Sequence, residues 1–166
     1  MDTLLYFAYG SNMSTPRLLA RARSARAVTI ARLDAHRLMF HKQGKDGSGK
    51  CDITLTRNPA DAVYGVVFQI ATVEKLALDQ TEGLGMGYDE KMVSVITQHG
   101  EVLKAVSYYA TDINHLLKPH HWYKEHVLRG AIEHGLPPAY ISLIECVESV
   151  PDPDTSKDCN ELSIYN

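Results

Sequence analysis

The sequence predicts an α+β fold: a mixed, largely antiparallel sheet closing toward a small β-barrel, with flanking helices. Two observations predict it. Strand-like runs outnumber helical ones, and they adjoin one another along the chain instead of alternating with helices as a doubly wound sheet requires. A length of 166 residues suits one domain with a sizeable core. Residues 1–150 are expected to form that domain, and residues 151–166 a tail packed on it or extending from it.

Residues 4–9 read as a buried strand, apolar and aromatic without charge. Thr15-Pro16 mark a helix start, with Pro in the first turn where its missing N–H costs nothing. Residues 27–41 partly alternate apolar with polar, which predicts one half-buried strand or two. QGKDGSGK, residues 43–50, is a loop by composition. Strands follow at 51–57 and 62–70. The second is nearly all apolar and therefore central, and Gly65 inside it marks a bulge or the close approach of another group. Thr72 can cap a helix over 73–80 that stops near Gly83. Residues 92–109 read as a β-hairpin turning at His99-Gly100. Residues 120–134 and 138–148 read as helices separated by Gly135-Leu136-Pro137. The tail reads as extended or irregular.

Composition narrows the function. A formal net charge of -3 supplies no general attraction to nucleic acid or to an anionic membrane. No segment approaches a transmembrane span. Residues 4–9 are too short for a signal-peptide core, and no basic region precedes them. Cys51, Cys146 and Cys159 are odd in number and widely spaced, fitting neither a disulfide framework nor a CxxC site. A cytosolic protein with reduced thiols is expected.

Two short segments carry candidate chemistry. In FAYGSNM, residues 7–13, a strand ends in Gly10, Ser11 and Asn12 and feeds a helix. Such a turn leaves backbone N–H groups unpaired, ready to receive an anion or a developing oxyanion. Small polar residues are also the ordinary chemistry of a tight connection. In DQTEGLGMGYDEK, residues 79–91, Glu82 stands before Gly83, Gly85 and Gly87. A carboxylate at a helix C-terminus faces the negative end of the dipole. Asp79, Asp89 and Glu90 would add like charge, and Leu84 and Met86 could desolvate it. Each effect raises a carboxylate pKa and suits a group that takes and returns a proton near neutral pH. The plain alternative is a solvated Glu beside a glycine cap.

Taken together, LYFAYGSNM, VYGVVFQI, DQTEG with the glycines up to Tyr88, and WYKEHVLRGAIEHGLPPAY resemble the γ-glutamylcyclotransferases, over nearly the whole chain and in the expected order. Tyr-Gly-Ser-Asn followed about seventy residues later by Glu-Gly is specific as a pair. The resemblance implies a small β-barrel with flanking helices and an enzyme that releases the γ-glutamyl group of small molecules as 5-oxoproline. It implies a substrate cavity formed by Tyr9, Gly10, Ser11, Asn12 and Met13, with Glu82 as the acid/base and aromatic contacts from Tyr88 and Tyr123. The substrate's own α-amine then attacks its γ-carbonyl. Ser11 is a donor rather than a nucleophile, and neither a metal nor an organic cofactor is needed. Residues 41–50 and the leaving amine are not fixed by the resemblance.

Other features have plainer readings. His115, His120, His121 and His126 cluster without the spacing of a metal motif, so a solvated helix start is expected. Ser11 has no GxSxG context. The glycines after Glu82 follow a helix instead of opening one, unlike a dinucleotide fingerprint. Arg17, Arg21, Arg23 and Arg26 read either as a solvated face or as a site for an anionic group on a substrate or partner. The expected partner is a small γ-glutamyl molecule, with no nucleic acid and no membrane. A γ-glutamyl group borne on an acidic carrier protein, and a binding module without turnover, are the alternatives. Charge reversal of Arg21, Arg23 and Arg26 is expected to leave the chemistry of Glu82 alone.

Overall fold

The computed structural model describes residues 1–166. Its centre is β5 (Ala62–Ala71), where Val63, Val66, Val67, Phe68 and Ile70 are fully buried. β5 pairs antiparallel with β1 (Thr3–Ala8) on one side and with β2 (Arg26–Asp34) on the other. β2 also pairs with β6 (Tyr88–Thr97), and β6 with β7 (Val102–Ala110). A short parallel pairing of β1 with β7 at Tyr6 and Val106 closes a barrel in the order β1-β5-β2-β6-β7. The sheet is therefore mixed but mostly antiparallel, and closure leaves no long open edge. β3 (His36–Gln43) and β4 (Gly49–Leu55) form a separate two-stranded sheet.

Local chemistry explains the boundaries. The 27–41 segment divides at Ala35, whose φ of 58° ends β2 and starts β3. Gly65 is a close approach: a Cβ there would stand 2.4 Å from the Ala8 carbonyl oxygen and 2.8 Å from the Phe7 ring. The register irregularity in this pairing falls instead in β2, between Ala27 and Thr29. β6 begins at Tyr88, four residues before the expected 92, because Tyr88 to Lys91 extend the ladder against β7 despite their charges.

α1 (Thr15–Leu19) follows β1, and α2 (Lys75–Glu82) follows β5 through a 3-10 turn over Thr72–Glu74. The expected Thr72 side-chain cap is not made. α2 ends at Gly83 with φ 75°, and Leu84 N–H reaches back 2.9 Å to the Asp79 carbonyl, closing the last turn. Glu82 is thereby fixed as the final helical residue. α3 (His121–Glu133) and α4 (Pro138–Glu145) are further flanking helices. No helix is long and apolar enough to cross a membrane.

The tail corrects its sequence reading. It is not irregular: it forms α5 (Ser156–Leu162) and a 3-10 turn over Ser163–Tyr165. Asp154 starts the helix by accepting from Ser156 N–H and Oγ. The histidines correct theirs too. His120 and His126 are buried, while His115 and His121 are exposed. The Tyr165 hydroxyl lies 2.7 Å from His126 Nδ1 and 2.8 Å from Ser14 Oγ.

His126 makes acid stability testable. Its ring faces Arg17 and Arg21, the tail groups Glu161 and Tyr165, and the Trp122 ring on its own helix. Burial, then the Arg17 guanidinium, pushes His126 down to about 4, whereas an unfolded histidine titrates near 6.5. Between these values the unfolded chain takes a proton that the folded chain refuses. Stability is thus full above about pH 6.5 and falls as pH drops toward 4. Glu161 is desolvated yet held low by Arg17 and His126, so its share is lost only below about 4.5. Melting temperature is expected to fall between pH 7 and 5, and the fall to flatten in His126→Gln. Equal slopes in the two proteins contradict this account.

Candidate active site

A small cavity opens where β1 with the turn after it, β4, α2, β6, β7 and α3 meet. Tyr6, Tyr9, Gly10, Ser11 and Asn12 come from β1 and the turn after it. Cys51 comes from β4, Glu82 from the end of α2, Tyr88 from the first position of β6, Tyr108 from β7 and Tyr123 from α3. The turn itself is a 3-10 turn over Ser11–Met13, pressed into place by α3.

Glu82 is anchored at one oxygen. Asn12 Nδ2 donates to Oε1 at 2.7 Å and Arg21 Nη1 donates to the same atom at 2.9 Å. Arg21 also donates to Asn12 Oδ1 at 2.6 Å, so the three side chains form a closed triangle. Asn12 Nδ2 reaches the Tyr6 hydroxyl at 3.1 Å as well. Oε2 of Glu82 has no hydrogen bond and is not sealed from solvent. One oxygen fixes the rotamer and the other stays open to a ligand.

The turn leaves donors over. Met13 N–H is spent on the Gly10 carbonyl at 3.0 Å and Ser14 N–H on Ser11 at 3.3 Å, but the N–H groups of Gly10 and Asn12 have no acceptor in the protein. Such groups beside a cavity suit an oxyanion or a carboxylate. Burial pushes the phenols of Tyr6, Tyr9, Tyr88 and Tyr123 well above the ordinary tyrosine range, so all four stay protonated. Tyr9 and Tyr88 spend their protons on the Tyr108 and Cys51 carbonyls, at 2.6 and 2.5 Å. Tyr6 accepts from Asn12, and Tyr123 accepts from Cys51 N–H at 3.0 Å, so each keeps a hydroxyl proton to give. Burial pushes the Cys51 thiol up to about 12, which removes it as a nucleophile.

The comparisons with known proteins fall on this geometry. Residues 62–144 match the AIG2-like family. Human γ-glutamylcyclotransferase is 34% identical over 165 residues, spanning 97% of this chain and 86% of the human protein. This chain belongs to the γ-glutamylcyclotransferase family. The bovine γ-glutamylcyclotransferase is 35% identical over 151 residues, 89% of this chain and 80% of the bovine one. A solved γ-glutamyl cyclotransferase structure superposes with a TM-score of 0.84 at 32% identity, over 90% of each chain.

Within this γ-glutamylcyclotransferase fold, Tyr9, Gly10, Ser11, Asn12, Glu82, Tyr88 and Tyr123 meet at one cavity. Met13 does not. It is fully buried beneath the turn, and its carbonyl accepts from His134 Nε2 at 3.0 Å. Gly10 is needed for β4: a Cβ there would stand 3.0 Å from the Cys51 Cβ. The like charges expected around Glu82 have partners of their own. Asp79 and Glu90 pair with Lys75, Asp89 lies by Tyr109, and Met86 is largely exposed.

The arginine run splits in two. Arg23 and Arg26 are exposed, but Arg17 donates to Ser11 Oγ at 3.1 Å and to Glu161 at 2.8 Å, and Arg21 holds Glu82. Reversing Arg21 would therefore strike the catalytic candidate itself, contrary to the sequence expectation. Tyr6 and Tyr108 escape sequence reading because each sits in a strand where an aromatic residue is ordinary core. Asp46, His120 and Asp152 place three ligand atoms within 4.8 Å of one another, as a cation site would, but the carboxylates are already in use. Lys50 holds Asp46 Oδ2 at 3.0 Å, and Trp122 Nε1 holds Asp152 Oδ2 at 2.8 Å.

Proposed function

We propose that this enzyme closes the γ-glutamyl group of a small substrate into 5-oxoproline and releases the attached amine, with Glu82 as the acid/base. The observation that carries the reading is the Glu82 carboxylate, clamped at Oε1 and open at Oε2, in a tyrosine-lined cavity beside unpaired turn N–H groups. The human and bovine relatives are named γ-glutamylcyclotransferases, which supports activity on γ-glutamyl substrates.

The chemistry balances within one molecule. The substrate's α-ammonium gives a proton to Glu82 Oε2. The freed nitrogen attacks the γ-carbonyl carbon, forming the ring C–N bond and an oxyanion. Gly10 and Asn12 N–H groups and the Tyr6 and Tyr123 hydroxyls are the donors for that oxyanion or for the α-carboxylate. Glu82 returns the proton to the departing nitrogen, the old C–N bond breaks, and the ring nitrogen gives up its second proton through Glu82 to the released amine, which leaves as an ammonium. Nucleophile and electrophile share one chain, so the site need only fold them together. No bond to the protein is required. Cytosolic residence belongs to the same proposal, supported by three free cysteines.

The direct test is 5-oxoproline release across a panel of γ-glutamyl amino acids and amines. Release from at least one member supports the reading, and tight binding without release from any of them refutes it. Arg21 supplies a second check. Arg21→Met removes a charge-assisted hydrogen bond from Glu82 and is expected to lower kcat/KM about tenfold or more. Arg23→Glu, on the exposed part of the run, is expected to change it less than about twofold. Equal effects from the two would mean that the run acts only as a diffuse patch.

A further inference from the structure

Beyond the cavity lies a larger open groove of about 420 Å³ that shares Ser11, Glu82, Tyr88 and Tyr123 with it. A leaving amine would exit into this groove. Its walls carry Arg17, Arg21, Lys42, Lys45, Lys50 and Lys157. Three of these are matched: Arg17 by Glu161, Arg21 by Glu82 and Lys50 by Asp46. Lys157 has only Glu161 at 3.9 Å, already held by Arg17. Lys42 and Lys45 have no carboxylate within 4 Å. A chain of net charge -3 thus concentrates surplus positive charge at one mouth.

Lys42 is the decisive member. The residue is only 7% exposed, and its ammonium, which is not sealed from solvent at the groove, has neither an ion pair nor a hydrogen bond. It lies 4.6 Å from the centre of the Tyr88 ring, beside the backbone of Gly87, where a Cβ would stand 3.1 Å from Nζ. Burial pushes the ammonium pKa down against the pull of Asp112 and then of Glu82, and Lys50 and Lys45 add smaller pushes in the same direction as burial. An ammonium partly stripped of water and left unpaired carries a desolvation cost, and an anion placed there would offset it.

We propose that the groove takes a leaving amine bearing two or more carboxylates, so that the preferred substrate is a γ-glutamyl conjugate of an acidic amino acid or of a small peptide containing one. This rests on the cyclotransferase reading above and specifies its substrate class. Lys42 takes the carboxylate nearest the scissile bond, and Lys45 and Lys157 take the outer one.

The test compares γ-glutamylglutamate, γ-glutamylalanine and γ-glutamylethylamide, which differ in leaving-group charge. Release of 5-oxoproline is expected to favour γ-glutamylglutamate over the ethylamide by about tenfold or more in kcat/KM, the scale of one or two charge-assisted hydrogen bonds. That ratio is expected to shrink as salt rises and to collapse toward one in Lys42→Met and Lys45→Gln. It should persist in Lys104→Glu, a lysine outside the groove. Equal release from all three substrates overturns the proposal while upholding cyclotransferase activity, and so does release only from a γ-glutamyl group carried on a protein. Should neither these three, nor the wider γ-glutamyl panel, nor a protein-borne γ-glutamyl group be turned over, the cyclotransferase reading fails, and calorimetry still decides the groove. Tighter binding of γ-glutamylglutamate than of the ethylamide, lost in Lys42→Met, upholds it. Equal binding overturns it.

Discussion

Glu82→Gln is expected to lower 5-oxoproline release by about two to four orders of magnitude, the range for loss of a general acid/base, while the fold survives. The geometry makes this substitution clean. The amide carbonyl oxygen still accepts from Asn12 and Arg21 where Oε1 does now, so the triangle that positions the side chain is preserved. The free Oε2 gives way to an amide NH2, which cannot take the ammonium proton. kcat should fall while the melting temperature and the circular dichroism spectrum stay close to those of the parent. Turnover near the parent's level would assign the proton transfer to another group.

Gly130→Val is expected to have the next largest effect, and it acts through packing. Gly130 lies within α3, where replacing glycine ordinarily stabilises a helix by up to about 1 kcal/mol. Here a Cβ would stand 2.5 Å from Ser14 N and 2.6 Å from the Met13 carbonyl carbon. Those are backbone atoms and cannot rotate aside. The overlap therefore outweighs the propensity gain, with a net loss of about 1–3 kcal/mol or more. The turn that must yield carries Asn12, and Asn12 holds Glu82. Activity is expected to fall more than tenfold with the melting temperature, and Gly130→Ala should show a smaller change of the same sign. A stabilised Gly130→Ala would show that the turn has room to move.

Much of this is legible in sequence, for identifiable reasons. β5 is plain because nearly every residue is apolar, and the β6–β7 hairpin because its two runs flank His99-Gly100. The turn at Gly10 to Asn12 and Glu82 before Gly83 stand out as local chemistry. What eludes sequence reading is contact through space. Arg17, Arg21, Arg23 and Arg26 look like one basic run, yet α1 is only five residues long, and Arg17 and Arg21 are partly buried while Arg23 and Arg26 are exposed. α5 is short and follows two prolines, so its one start signal, Asp154 two residues before Ser156, is easily overlooked. Lys42 gives no sign of burial, because its strand and the Gly87 turn that covers it are far apart in sequence.

The proposed mechanism stands or falls on the nucleophile, which it holds to be the substrate's own α-amine, not water, with Glu82 moving the proton. Turnover of a γ-glutamyl dipeptide in water enriched in 18O separates the two, with the product examined by mass spectrometry. Attack by the amine gives 5-oxoproline without added 18O, formed by the parent protein and nearly absent with Glu82→Gln. Glutamate carrying 18O in its γ-carboxylate would show hydrolysis and contradict it.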